Sequence, residues 1–258
     1  MRSKAFVLLT FDVEEFDLPI EYNDIISMDE QLAIGKKGLN EILSIVEQCK
    51  VSATLFTTAH FANNNKDEIK KAAYFHEIAS HCYYHGSFKE DDVIQSKIIL
   101  EQIIEKEVVG FRMPRFKQIE KTLIKNAGYL YDSSINPTYI PGRYNNLNKS
   151  TKALIEDEIT IVPVSVTPFF RFPLFWLSFK NLPYWIYKRL ALYTLKKQGF
   201  LSLYFHPWEF IDITSYKIPS YTKKNCKGIL SAKLIRLINE LKQNATFITM
   251  QDYITDHI

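Results

Sequence analysis

Phe75-His76-Glu77-Ile78-Ala79-Ser80-His81-Cys82-Tyr83-Tyr84-His85 sets a short strand-like run directly before two of the chain's six histidines. Residues 75–79 read as a strand, and Ser80 opens its polar exit. His81 and His85 are four positions apart, so on a helical turn both imidazoles face one side. Two neutral imidazoles on one face supply half of a Zn²⁺-type site. The spacing is a weak signal by itself, because surface histidines also fall four apart by chance. The rest of the chain decides whether a third ligand and catalytic groups accompany the pair.

Upstream, an apolar run over 5–11 has the pattern of a strand covered on both faces, and it ends in Asp12-Val13-Glu14-Glu15. Residues 16–30 read as a loop. Helical spacing of Leu39, Ile42, Leu43, Ile45 and Val46 marks a helix over 31–49. Val51–Thr57 is β-branched and aromatic, hence a second strand. His60 after it and His76 before the third strand read as ordinary structural histidines. Residues 65–74 and 90–106 are helical.

Downstream, Val108–Phe116 is a strand running into a loop fixed by Pro114, with Arg112 at its end. A helix over 118–127 stops at Gly128. Residues 129–134 and 159–164 read as strands, with a loop over 136–150. Phe200–Phe205 is a strand whose exit is His206-Pro207-Trp208-Glu209. A helix over 229–242, a strand over 245–249 and a short helix over 250–253 close the chain. Six or seven strands alternating with helices predict an α/β fold. Its expected form is a distorted (β/α)7-type barrel of mostly parallel strands, one domain over 1–258. In such a barrel the strand ends converge on one rim, and Asp12, Glu14, His81, His85, Arg112 and His206 all follow strands.

A net charge of +3, with basic residues scattered among acidic ones, argues against a nucleic-acid partner. The three cysteines, Cys49, Cys82 and Cys226, have no paired spacing, as expected in a reducing compartment. The first apolar run is too short for a secretory signal, and no stretch is long enough to span a bilayer. A cytoplasmic location is the expectation.

At this point the chain resembles the polysaccharide deacetylase family, the NodB-like domain of carbohydrate esterase family 4. Thr10-Phe11-Asp12-Val13-Glu14 is similar to its Thr-Phe-Asp-Asp motif. His76-Glu-Ile-Ala-Ser-His81-Cys-Tyr-Tyr-His85 is similar to its histidine block. Arg112-Met-Pro114 resembles Arg-x-Pro, and Leu203-Tyr-Phe-His206 resembles Leu-x-x-His. The likeness covers nearly the whole chain, and four motifs in order are specific where one would not be. The variant first motif, with Tyr131-Asp132-Ser-Ser and His206-Pro-Trp-Glu, looks like a subgroup found with bacterial surface-glycan loci. Val13 separates the two acids that most members have adjacent, so either Asp12 or Glu14 could bind metal. The usual Asp–Trp support of the acid histidine is not recognisable before His206.

The resemblance implies a metal-dependent hydrolase that removes an N-acetyl group from an amino sugar of a surface polysaccharide or its precursor. It implies a divalent metal, Zn²⁺ first with Co²⁺ or Ni²⁺ as substitutes, on His81, His85 and a carboxylate, with Glu14 preferred. Asp12 is then the general base oriented by Arg112, His206 the general acid, and Pro114, Phe116 and Trp208 the substrate contacts. Two rivals stand beside this reading. One is an amidohydrolase of cyclic imides or ureides on the same scaffold, and the other a glycan-binding protein that has lost catalysis.

Pro168–Tyr193 carries aromatic and basic residues together, its second part at helical spacing. Most such stripes are core. The alternative is a surface beside the rim that meets a lipid-linked or membrane-proximal substrate, the sugar riding on a nucleotide or polyprenyl carrier.

Overall fold

The computed structural model describes residues 5–258. The first half of the chain runs β1 (Phe6–Val13), α1 (Met28–Cys49), β2 (Thr54–Thr57), α2 (Ala59–Asn64), α3 (Lys66–Ala72), β3 (Glu77–Ser80), α4 (Asp91–Ile104), β4 (Gly110–Phe111), α5 (Lys121–Asn126) and β5 (Tyr131–Asp132). A small hairpin, β6 (Tyr139–Ile140) and β7 (Tyr144–Asn145), lies where the sequence suggests only a loop. The chain continues through β8 (Leu154–Glu156), β9 (Ile159–Ile161), α6 (Trp176–Asn181), α7 (Tyr184–Gln198) and β10 (Phe200–Phe205). It ends with α8 (Ser220–Lys223), α9 (Gly228–Lys242), β11 (Thr246–Phe247) and α10 (Met250–His257).

The main sheet has the order β10-β1-β2-β3-β4-β5-β9-β8, with β11 also pairing with β1. All its pairings are parallel except β8–β9. The sheet curls until β10 meets the chain just past β9 across a seam. There the Ser165 amide donates to the Ser202 carbonyl at 2.8 Å, and the Ser202 amide donates to Ser165 Oγ at 2.9 Å. The expected mostly parallel, distorted barrel is therefore the observed architecture, with β8 as an antiparallel addition.

β1 shows why these residues make a central strand. All eight are buried. Val7, Leu9, Phe11 and Val13 pack outward under the helices, whereas Phe6 and Leu8 pack inward with Phe56, Ala79 and Tyr131. A strand covered on both faces must be apolar in both parities. The inward parity turns polar only towards the rim, at Thr10, Asp12 and then Glu14.

Register carries the functional residues to one level. Val13, Thr57, Ser80, Phe111, Asp132 and Ile161 form one row across neighbouring strands. The next residues along are Glu14, Thr58, His81, Arg112 and Ser133. Phe11 pairs with Phe205, which places Asp12 level with His206. In-register neighbours in a parallel sheet share a pleat direction, so Asp12, Glu14, His81, Arg112, Ser133 and His206 converge at the rim, while Thr58 is taken up capping α2 and bonding Glu15.

Two glycines on one face of α1 let it reach the strand exits. A Cβ on Gly35 would lie 2.6 Å from the Glu14 carbonyl oxygen, and one on Gly38 would lie 2.4 Å from the Pro207 carbonyl carbon. Both neighbours are backbone and cannot step aside. Gly38→Ala should therefore destabilise the protein by roughly 1–3 kcal/mol through overpacking. Urea titration would register this as a lower midpoint, and wild-type stability would mean that α1 can move away without cost.

Candidate active site

Residues 81–86 are an irregular loop and not the helical turn that the four-residue spacing suggests. Cys82 takes a left-handed φ of 63°, and the loop still brings the two imidazoles together with ring centroids 5.8 Å apart. Glu14 Oε2 lies 3.3 Å from His81 Nε2 and 3.2 Å from His85 Nε2. Each histidine is held by its other nitrogen. His81 Nδ1 donates to the Arg112 carbonyl at 2.8 Å, and His85 Nδ1 donates to Asp17 Oδ1 at 2.8 Å.

These bonds leave both Nε2 lone pairs directed at the carboxylate. Glu14 Oε2 is buried and has no hydrogen-bond partner. Three electron-rich atoms facing one another fit a cation between them. Bonds of about 2.0 Å in a tetrahedral site put neighbouring ligand atoms about 3.3 Å apart, which matches the two contacts. Among the described residues, Glu14, His81 and His85 are the group whose ligand atoms all lie within 4.8 Å of one another.

Asp12 has a different commitment. Its Oδ1 accepts from Arg112 Nη1 at 2.6 Å, and its Oδ2 is 4.0 Å from His81 Nε2. Burial by itself would raise the Asp12 carboxyl. The Arg112 guanidinium, with His81 and His206, overrides burial and holds the carboxyl below its ordinary range. Glu14 behaves alike: burial raises it, and His85, His206 and His81 together bring it down. Glu15 turns away and accepts from Thr58 Oγ1 at 2.8 Å, and burial pushes it up to about 7.

His206 finds its partner three residues later. Its Nδ1 lies 3.2 Å from Glu209 Oε1, which also accepts from the His206 amide at 2.7 Å. The other Glu209 oxygen faces Lys180 Nζ at 3.3 Å, and both of these side chains are fully buried. Trp208 stacks on the His206 ring at 4.8 Å and donates from Nε1 to Glu14 Oε1 at 3.1 Å. Burial would lower His206, but Glu14, Glu209 and Asp12 outweigh it and raise the imidazole above its ordinary value.

A cavity of about 280 Å³ opens over Asp12, Glu14, His81, His85 and His206. Phe116, Tyr144, Phe175, Trp176 and Tyr204 form much of its aromatic wall. Of the three expected substrate contacts, Phe116 and Trp208 line it. Pro114 is buried and does not reach the lining, because it fixes the turn beneath Phe116. Nor does Trp208 present its indole N–H to the cavity, since Glu14 takes it.

The polysaccharide deacetylase family profile matches residues 2–131, half of the chain, including the Asp12, His81, His85 and Arg112 motifs. The chain belongs to that family. Among solved structures it is similar to a provisionally assigned polysaccharide deacetylase from Mycobacterium smegmatis, with 21% identity, a TM-score of 0.68, and coverage of 99% of this chain and 91% of that one. It is also similar to the Puue allantoinase, with 15% identity, a TM-score of 0.67, and coverage of 99% and 92%. The Bc1960 peptidoglycan N-acetylglucosamine deacetylase gives 19% identity, a TM-score of 0.55, and coverage of 98% and 89%. At these identities the likenesses establish the fold alone. Among curated proteins there is no match of comparable significance.

Within this member of the family, several contacts had no signal in the sequence. Asp17 sits in the presumed 16–30 loop, yet it is buried and binds both His85 and Arg115 Nη2, the latter at 2.9 Å. Arg115 and Phe116 both hold left-handed backbone, with φ of 58° and 52°. That turn aims the Arg115 guanidinium at Asp17. Burial would lower His85, but Glu14 and Asp17 push it up to about 9, so a cation taking its Nε2 would displace a proton. Asp17→Asn should weaken divalent-metal binding about tenfold to a hundredfold, the usual effect of losing a carboxylate behind a ligating histidine. Competition against a chromophoric chelator measures this, and wild-type affinity in the variant would remove Asp17 from that role.

Proposed function

We propose that this chain is a metal-dependent hydrolase that removes the N-acetyl group from an amino sugar of a bacterial surface polysaccharide or its precursor. The reading places it in the cytoplasm, acting on a nucleotide- or lipid-linked sugar. The observation that carries it is the unpartnered Glu14 Oε2 between His81 and His85, with the Asp12–Arg112 pair and His206 beside it. An N/N/O donor set suits Zn²⁺ best, with Co²⁺ or Ni²⁺ as substitutes.

When bound by Glu14, His81 and His85, the cation would supply Lewis acidity towards the acetyl carbonyl and acidify a water. Asp12 takes the proton of the attacking water. Arg112 keeps that carboxylate ionised and fixes its orientation, so the base is ready at neutral pH. His206, kept protonated by the surrounding carboxylates, gives its proton to the departing amine nitrogen. Glu209 holds the imidazole in place through Nδ1, leaving Nε2 to act. The products are acetate and a free amino sugar. Phe116, Tyr144 and Trp176 offer flat apolar faces against which a sugar ring can lie.

Acetate release from a panel of N-acetyl sugars, with and without added Zn²⁺ or Co²⁺, tests the reaction. Ring opening of a cyclic ureide with no acetate formed would replace it with the rival amidohydrolase. Metal-independent sugar binding without turnover would leave a glycan-binding protein. Asp12→Asn should retain metal and lose about two to four decades of turnover. Release of metal by this variant would instead make Asp12 the ligand.

Glu209→Gln tests the acid. His206 is raised in part by Glu209, so removing that charge lowers its pKa. The protonated form is then lost at lower pH, and the alkaline limb of the kcat/KM profile moves to more acidic values. An unmoved limb, in a variant whose melting curve shows it folded, would assign that limb to another group.

A further inference from the structure

We propose that the hairpin from Val166 to Pro173 and the outer face of α7 form a docking surface for an anionic lipid bilayer. Phe169 and Phe170 stand at the hairpin tip, 78% and 93% exposed. The tip is tightly built. Val166 bridges Pro173, the Thr167 amide donates to the Phe172 carbonyl at 2.9 Å, and the Phe172 amide donates to Thr167 Oγ1 at 2.9 Å. Arg171 anchors it further by donating to the carbonyls of Pro137 and Lys149, at 3.1 and 2.7 Å. Two adjacent phenyl rings are thus presented to solvent on backbone that is pinned in place. Tyr139 and Leu147 are exposed on the neighbouring segment that Arg171 ties down.

α7 runs beside this hairpin. Tyr187 Oη donates to the Leu174 carbonyl at 3.1 Å, and Gln198 Nε2 donates to the Val166 carbonyl at 3.4 Å. Its exposed positions are Trp185, Arg189, Tyr193, Lys196 and Lys197, which fall on one stripe at helical spacing. Arg189 lies over the Trp185 ring at 5.9 Å.

Charge chooses the occupant. From Ile159 to Trp208 there is no Asp or Glu, while Arg171, Lys180, Lys188, Arg189, Lys196 and Lys197 all fall there. Lys180 is matched by Glu209, and Lys188 by Glu240 at 3.0 Å from the neighbouring α9. Arg171 is spent on carbonyls. Arg189, Lys196 and Lys197 make no ion pair among the described residues. Phenylalanines that can enter the acyl region, Trp and Tyr suited to the interface, and unpaired bases for lipid phosphates are the complement of an anionic membrane surface. The hairpin leads directly into Phe175 and Trp176, which line the active-site cavity, so docking sets the cavity beside the bilayer.

Pelleting with phosphatidylcholine vesicles, with and without phosphatidylglycerol, tests the surface and needs no turnover. The wild-type chain should pellet only with the anionic vesicles, and added salt should release it. Phe169→Ser with Phe170→Ser should weaken partitioning at least about tenfold. Lys196→Glu and Lys197→Glu should each weaken it about fivefold or more. All these variants should hydrolyse a soluble N-acetyl sugar as the wild type does. Wild-type protein left in the supernatant, or variants that pellet unchanged, would overturn the assignment. So would a wild-type dimer in sedimentation velocity that the double Ser variant abolishes, since the surface would then belong to a second copy. Loss of vesicle binding leaves the deacetylase reading intact, and absence of acetate release leaves the docking surface intact.

Discussion

The buried ion pair between Asp12 and Arg112 is the contact on which the rim depends. Arg112 is fully buried and donates from all three guanidinium nitrogens. Besides Asp12 it reaches Thr10 Oγ1 at 2.9 Å, the Ser133 carbonyl at 3.2 Å and Ser133 Oγ at 2.9 Å. Its guanidinium lies over the Phe56 ring at 3.9 Å. One side chain thereby joins the exits of β1, β4 and β5, and Thr10 passes the link to β10 through the Leu203 carbonyl at 2.9 Å. Removing one partner of such a pair typically costs about 3–5 kcal/mol, because the other charge stays buried and unanswered. The Arg112 carbonyl also fixes the tautomer of His81, so the same residue orients both the proposed base and a candidate ligand.

Around that pair the site is a balance of buried opposite charges. Glu14, Asp12 and Asp17 face His81, His85, His206, Arg112 and Arg115, while Glu209 divides itself between His206 and Lys180. Each carboxylate has a cation or an imidazole within reach, which is the condition for burying it. Glu14 Oε2 and Glu209 Oε2 are the buried carboxylate oxygens here without a hydrogen bond. Glu209 Oε2 faces Lys180, and Glu14 Oε2 lies between two imidazoles at a strand exit, where chemistry is expected. The arrangement is held from outside by Gly35 and Gly38 of α1, whose missing side chains let the helix press on the backbone beside Glu14 and His206.

The aromatic segment divides in a way that composition alone could not settle. Phe179 and Tyr187 are core, and Trp176 is half-buried against His206 with ring centroids 5.1 Å apart. Phe169, Phe170 and Trp185 face solvent. Helical spacing identifies a stripe, but only the neighbouring elements decide which side of it is covered. No helix among the described residues is long and apolar enough to cross a membrane.

The sequence by itself determined the alternation of strands and helices, and with it the rim at the strand ends. Asp12, Glu14, His81, Arg112 and His206 were legible because each lies at or just past the end of a buried strand, where parallel register brings positions to one level. His85 was legible by its spacing from His81, and the 81–86 loop carries it to that level. The polar parity of Thr10, Asp12 and Glu14 marked the inward face in the same way. What remained hidden lies in loops. Asp17 reaches His85 across 68 positions and Arg115 reaches Asp17 across 98, through irregular backbone that has no periodicity to read. Glu209 was visible beside His206, but its pairing with Lys180 needed α6 packed against the 207–210 turn. The four-residue histidine spacing pointed to a shared site through a helical turn that does not exist. Tertiary structure decided these matters because long-range side-chain contacts depend on how loops close in space, and local propensity carries no record of that closure.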